Sequence, residues 1–148
     1  MQTLARQLVE DLWKNIRLLP DKQFSYHVDS VLFRAAETGN VELLIILFRS
    51  YPDLIWKTDE KRRTIFHVAV LNRQEAVFNL IYEIGAIKDM ILVFADDKNQ
   101  NIAHLAGKMA PSSRLNMVSG EALQMQLELL WFKVGISTFI YFYFNNST

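Results

Sequence analysis

Three histidines, His27, His67 and His104, are the side chains in this 148-residue chain best suited to proton transfer or metal ligation. His67 follows Thr64 by three residues, and His104 follows Asn101 by the same interval. Asp96, Asp97 and Asn99 have the beginnings of a calcium loop, but the glycine and the terminal bidentate Glu that such a loop needs are missing. A solvated turn is the better reading. Lys61, Arg62 and Arg63 could meet a phosphate, yet Asp59 and Glu60 beside them neutralise the patch and leave a solvated loop tip. The five glycines (Gly39, Gly85, Gly107, Gly120 and Gly135) are too far apart to cradle a phosphate. Neither an H-E-x-x-H nor a G-x-S-x-G motif occurs. The absence of cysteine excludes disulfides, thiol catalysis and zinc sites built on Cys. The residues therefore point to a non-enzyme without cofactor or metal.

The composition fits one globular domain, with 51% hydrophobic and 22% charged residues. Sixteen basic and 16 acidic residues balance to zero net charge, and neither half of the chain is strongly basic. That excludes an electrostatic nucleic-acid binder. Arg6, Glu10, Asp11 and Lys14 interrupt the N-terminal apolar runs, so no signal-peptide core is expected. The longest apolar run, at 134–144, has 11 residues, against the roughly 20 of a spanning helix. As written, the chain reads as soluble and cytoplasmic. Two glycosylation sequons beginning at Asn145 and Asn146 read as chance without a secretory signal.

These side chains must be positioned by helices. Three segments superimpose: SVLFRAA at 30–36, TIFHVAV at 64–70 and NIAHLAG at 101–107. Ser30, Thr64 and Asn101 open them, and such residues cap helix starts. Second apolar stretches follow at 41–48 and 76–84, with leucines and isoleucines at helical spacing. Gly39-Asn40 separates the two helices of the first unit, and Gly85 ends the second helix of the next. An amphipathic helix at 4–19 precedes them, with Leu8, Leu12, Ile16 and Leu19 as its stripe and Trp13 beside it; Pro20-Asp21 ends it. Residues 121–133 form a last helix with Leu123, Leu127 and Leu130 on one face. No strand pattern competes, so the class is all-α.

A period near 33 residues opening T-P-L-H-x-A-A is the ankyrin signature. Residues 64–70 match it best, and LIYEIGA at 80–86 matches the close of that repeat. With RSYPDLIW at 49–56, NIAHLAGKMAP at 101–111 and ALQMQLELLWFK at 122–133, the chain resembles the plant ankyrin proteins that carry a C-terminal PGG membrane domain, of the accelerated-cell-death type. The resemblance implies an ankyrin solenoid of two to three helix-turn-helix units with an extra helix at each end. It divides the chain into an N-terminal helix and linker (1–29), a repeat domain with its C-terminal helix (30–133) and a disordered tail foreign to the family (134–148). A chain ending at Lys133 would then be as stable as the whole.

The resemblance further implies protein–protein interaction in membrane-linked defence or stress signalling. Association with the plasma membrane would come only through the PGG domain, absent here; the alternative is a fragment of a multi-pass membrane signalling protein. His67 and His104 become structural partners of the caps at Thr64 and Asn101, and His27 an ordinary loop residue. The concave face of such an array carries Arg34, Glu37, Val68, Leu71 and Leu105, with Lys61 and Arg62 at a loop tip. These are the expected contacts of a protein partner. Val68, Leu71 and Leu105, joined by Met109, would form an exposed apolar strip.

Overall fold

Helix starts and stops follow here from a few residues with strong backbone preferences. In the computed structural model, which describes residues 2–117 and 119–145, α1 (Gln2–Ile16) gives way to a turn, and α2 (Asp21–Thr38) begins directly behind Pro20. Pro20 is extended, at φ −55° and ψ 145°, and Asp21 places a carboxylate at the positive end of the helix. Gly39 stops α2 in the left-handed region at φ 81°, which costs a glycine nothing. α3 (Val41–Ser50) opens on Asn40, whose Oδ1 accepts from the Leu43 N–H at 3.1 Å. A 3-10 turn at Pro52–Trp56 ends that unit.

The second unit repeats the scheme. α4 (Ile65–Leu71) is followed by a tight turn, α5 (Glu75–Asn79) and a 3-10 turn at Leu80–Glu83. Gly85, at φ 65°, closes it. α6 (Ile87–Val93) comes next, a helix the periodicity did not announce. α7 (Ile102–Ala106), the short α8 (Ser112–Leu115) and α9 (Glu121–Asn145) complete the chain. No strand occurs among the described residues.

First helices stack side by side: α4 lies between α2 and α7, and α7 lies between α4 and α9. The core fills the space between them with Leu32, Leu44, Leu47, Phe66, Ile81, Ile91 and Ile102, all essentially inaccessible to solvent. α1 attaches mainly through Trp13, with Ile16 also packed on the core. Trp13 is buried against Phe24 and Tyr51, with ring centroids 5.9 and 5.7 Å away. Burying that ring turns the expected stripe outward, so Leu8 and Leu12 remain 58% and 61% exposed.

Three expectations are corrected. Ser30 does not cap a helix; it lies exposed within α2, because nothing between Asp21 and Thr38 interrupts helical hydrogen bonding. For the same reason 20–29 is not a linker, and His27 sits on a helix, with its ring edge-on to Tyr26. Finally, the last helix does not end at Lys133. α9 continues through Val134 to Asn145. Its backbone approaches α7 at buried Gly135, where a Cβ would stand 2.8 Å from the Ala106 Cβ and 3.1 Å from the Ala103 carbonyl. Val134 packs on the core beside it. The side chains of Phe139 and Phe142, and both sequons through residues 146–148, lie outside the described residues.

Gly135→Val should therefore lower stability by about 1–3 kcal/mol through overpacking against α7, whereas Ile136→Val on the exposed side should change it by less than about 0.5 kcal/mol. A chain ending at Lys133 should melt several degrees below the full chain. Thermal melts of the four proteins check both outcomes.

Candidate functional site

Two loops carry the same construction 37 residues apart. In the first, Asp59 Oδ1 accepts from the N–H groups of Lys61 and Arg63, both at 2.9 Å, and Arg62 takes φ 57°. In the second, Asp96 Oδ1 accepts from Lys98 at 2.9 Å and Gln100 at 2.8 Å, and Asn99 takes φ 61°. The Asp97 N–H donates to the Lys61 carbonyl at 3.0 Å and ties one loop tip to the next. So the acidic pair at 96–97 builds a turn with its carboxylate already saturated by backbone. Burial pushes the Asp96 carboxyl up, but the N–H groups of Gln100 and Lys98 outweigh it and hold the group below its ordinary value. No cluster of three or more metal-ligating side chains occurs among the described residues.

Each loop feeds a capped helix. Thr64 and His67 form a reciprocal capping box, with Thr64 Oγ1 and His67 Nδ1 2.7 Å apart. His67 Nε2 donates to the Phe94 carbonyl at 2.8 Å, reaching the segment that leads into the second loop. A carbonyl only accepts, so the proton is on Nε2 and Nδ1 is the acceptor. Burial lowers the His67 pKa from its ordinary 6.5, which agrees with a neutral ring. Asn101 and His104 repeat the box, Oδ1 to Nδ1 at 2.7 Å, but on the exposed surface. Both ring nitrogens of His67 are thus engaged, whereas His104 uses Nδ1.

The expected contact residues separate. Arg34 and Glu37 are on α2, with Arg34 exposed and ion-paired to Glu37 at 2.8 Å. Lys61 and Arg62 are exposed at the first loop tip, with the Arg62 guanidinium 5.8 Å above the Phe94 ring. Val68 and Leu105, however, are buried at 6% and 1% exposure, and Leu71 is half-buried. The expected apolar strip does not exist, because α4 and α7 are each covered on two sides by neighbouring helices. Met109 alone of its members is exposed.

Sequence reasoning passed over Arg73. Its Nε and Nη2 grip the Glu128 carboxylate of α9 at 3.0 and 2.7 Å, and its Nη1 donates to the Val70 carbonyl at 2.8 Å. Nη2 also donates to the Lys108 carbonyl, and the guanidinium lies 5.5 Å over the Trp131 ring. Arg73 holds φ 56°. A signal existed: shifted by 34 residues, Arg73 falls on Gly39, so an arginine stands where the turn wants a glycine.

With α9 clamped there, a groove of about 590 Å³ opens between it and the layer of α5, the following 3-10 turn and α6. Phe78, Ile81, Leu92, Leu130, Trp131 and Val134 form its apolar walls, and Lys88, Ser137, Thr138 and Tyr141 are also on its lining. Compared with known proteins, the chain matches no family model, no curated sequence and no solved structure.

His67→Ala should cost roughly 1–3 kcal/mol by leaving Thr64 and the Phe94 carbonyl unsatisfied. Arg73→Gly should also destabilise by about 1–3 kcal/mol, even though glycine relaxes the left-handed backbone by roughly 1 kcal/mol. Arg62→Gly, which has no such clamp to lose, should be neutral or stabilising. Denaturant titrations of the three variants decide this.

Acid should weaken the fold in two windows. The lowered pKa of His67 gives stability that is full above its ordinary 6.5 and declines as pH falls below it, because the unfolded chain then takes up the proton more readily. For Glu128, the Arg73 hydrogen bond holds the carboxyl below its ordinary 4.5 against the opposing effect of burial, so its contribution declines below that value. Stability measured against pH should lose part of its lower window in Glu128→Gln, the rest belonging to Asp96, and keep the upper one.

Proposed function

We propose that this chain is a non-catalytic protein-interaction module, a short ankyrin-type array akin to the plant ankyrin proteins with a PGG domain, working in the cytoplasm in membrane-linked defence or stress signalling. The observation that supports this most is the loop-and-cap unit repeated at Asp59–His67 and Asp96–His104, with adjacent tips joined from Asp97 to Lys61. Loops fixed by their own carboxylates lose little freedom when a partner arrives, so their side chains form a preorganised surface. The contact residues reduce to exposed Arg34, with half-buried Glu37 paired to it on α2, and exposed Lys61 and Arg62 on the first tip. Val68 and Leu105 serve the stack instead.

A charge reversal at Arg34 and Lys61 tests this reading. The Arg34–Glu37 pair is exposed, so Arg34→Glu with Lys61→Glu should shift stability by less than about 1 kcal/mol. Proximity labelling in plant cells should then lose partners that the parent chain labels. An unchanged set of labelled proteins would reject the surface.

The second reading, a fragment of a multi-pass membrane protein, is favoured by the outer face of α9, where Leu129, Ile136 and Ile140 are exposed. Among the described residues no helix is long and apolar enough to cross a membrane. The genomic sequence just downstream of codon 133 separates the two: an open frame encoding the PGG helices supports the fragment, and none supports the free module.

A further inference from the structure

We propose that the groove beneath α9 binds one long-chain fatty carboxylate, with the alkyl chain against Phe78, Leu92, Leu130 and Val134 and the carboxylate on the Lys88 ammonium. This inference does not rest on the reading of the chain as an interaction module.

The lining changes character along α9. Leu127, Leu130, Trp131 and Val134 face the groove in the first half of its wall, and Ser137, Thr138 and Tyr141 in the second. From Leu127 to Tyr141 a helix rises about 21 Å, so the wall is long, apolar at one end and hydroxyl-bearing at the other. Lys88 stands at the hydroxyl end. Its Nζ lies 4.8 Å from the Tyr141 ring centroid and 5.7 Å from that of Tyr82. Ring faces attract an ammonium without using up its N–H donors. Among the described residues no carboxylate lies within ion-pair distance of it. The lining also contains Lys133 and Glu75, so two ammonium groups face one carboxylate and the net field favours an anion.

The size selects a small molecule over a protein segment. A volume of about 590 Å³ lies within the range of roughly 300–1,000 Å³ typical of small-ligand sites. An amphipathic helix would need a wider trough. A single alkyl chain with a charged end matches both the length and the polarity gradient.

The test is equilibrium binding of cis-parinarate to the full chain, followed by fluorescence below its aggregation concentration. One saturable site per chain is expected, with palmitate displacing the probe and methyl palmitate competing roughly tenfold less well. Lys88→Gln should weaken parinarate binding by roughly tenfold, with Lys88→Arg restoring it, since an ion-assisted hydrogen bond is worth about that much. Leu130→Asp, at an exposed position on the apolar wall, should weaken palmitate and methyl palmitate alike. Unchanged melting temperatures certify each variant, and should Lys88→Gln melt lower, the comparison of palmitate with its methyl ester on the parent chain decides alone. The proposal is overturned if binding is not saturable, if acid and ester compete equally, or if an amphipathic peptide fills the groove and parinarate does not.

Discussion

Arg73 divides its guanidinium among four acceptors in three segments: the Val70 carbonyl, the Lys108 carbonyl and both oxygens of Glu128. The turn after α4, the segment after α7 and the long terminal helix meet at this one group. Its side chain is only 9% exposed, so its charge must be matched locally, and Glu128 with the Trp131 ring provides the match. The backbone contributes as well. A left-handed arginine costs more than a left-handed glycine, and the contacts its guanidinium makes with Glu128 of α9 offset that cost. The equivalent turn of the first unit, at Gly39, has no helix to hold and uses glycine.

Around that clamp, two smaller devices fix the spacing of the stack. Aspartates at 59 and 96 satisfy the loop amides, so the loops need no partner of their own. His67 then spans the gap between units, joining the Thr64 cap to the Phe94 carbonyl. A neutral imidazole has the right size and polarity to bridge them, since it donates at one end and accepts at the other without bringing a charge into the core. His104 repeats the cap at the surface, where water can replace what the ring does not provide.

The helical class was legible from periodicity, and the starts at Thr64 and Asn101 from capping chemistry, because both signals are local. What failed was non-local. Ser30 has the composition of a cap, yet a cap forms only where a helix stops, and Pro20 and Asp21 had already started one. Val68 and Leu105 occupy positions that an array leaves open, but each lies under a neighbouring helix whose placement no spacing rule encodes. The run after Lys133 is rich in β-branched and aromatic residues and reads poorly as helix. Gly135 and Val134 pack it on α7, and that tertiary contact overrides propensity. The groove depends on this continuation, so neither it nor the part of Lys88 in it could be read from sequence.

Arg73 and Glu128 are 55 residues apart, whereas the contacts among α2, α4 and α7 join neighbouring units. Closing the longer loop costs more chain entropy, so the Arg73–Glu128 pair is helped by α7, which holds α9 alongside across a shorter loop. Releasing α9 breaks the Arg73–Glu128 pair, the close approach of Gly135 to α7 and the packing of Trp131 and Val134 on the core, and leaves Leu32, Leu44 and Phe66 covered by the other helices. The amide protons of α9 thus exchange with solvent through local opening, ahead of those of α4, which exchange only when the stack itself comes apart. Such an opening of the terminal helix would uncover the space beneath it.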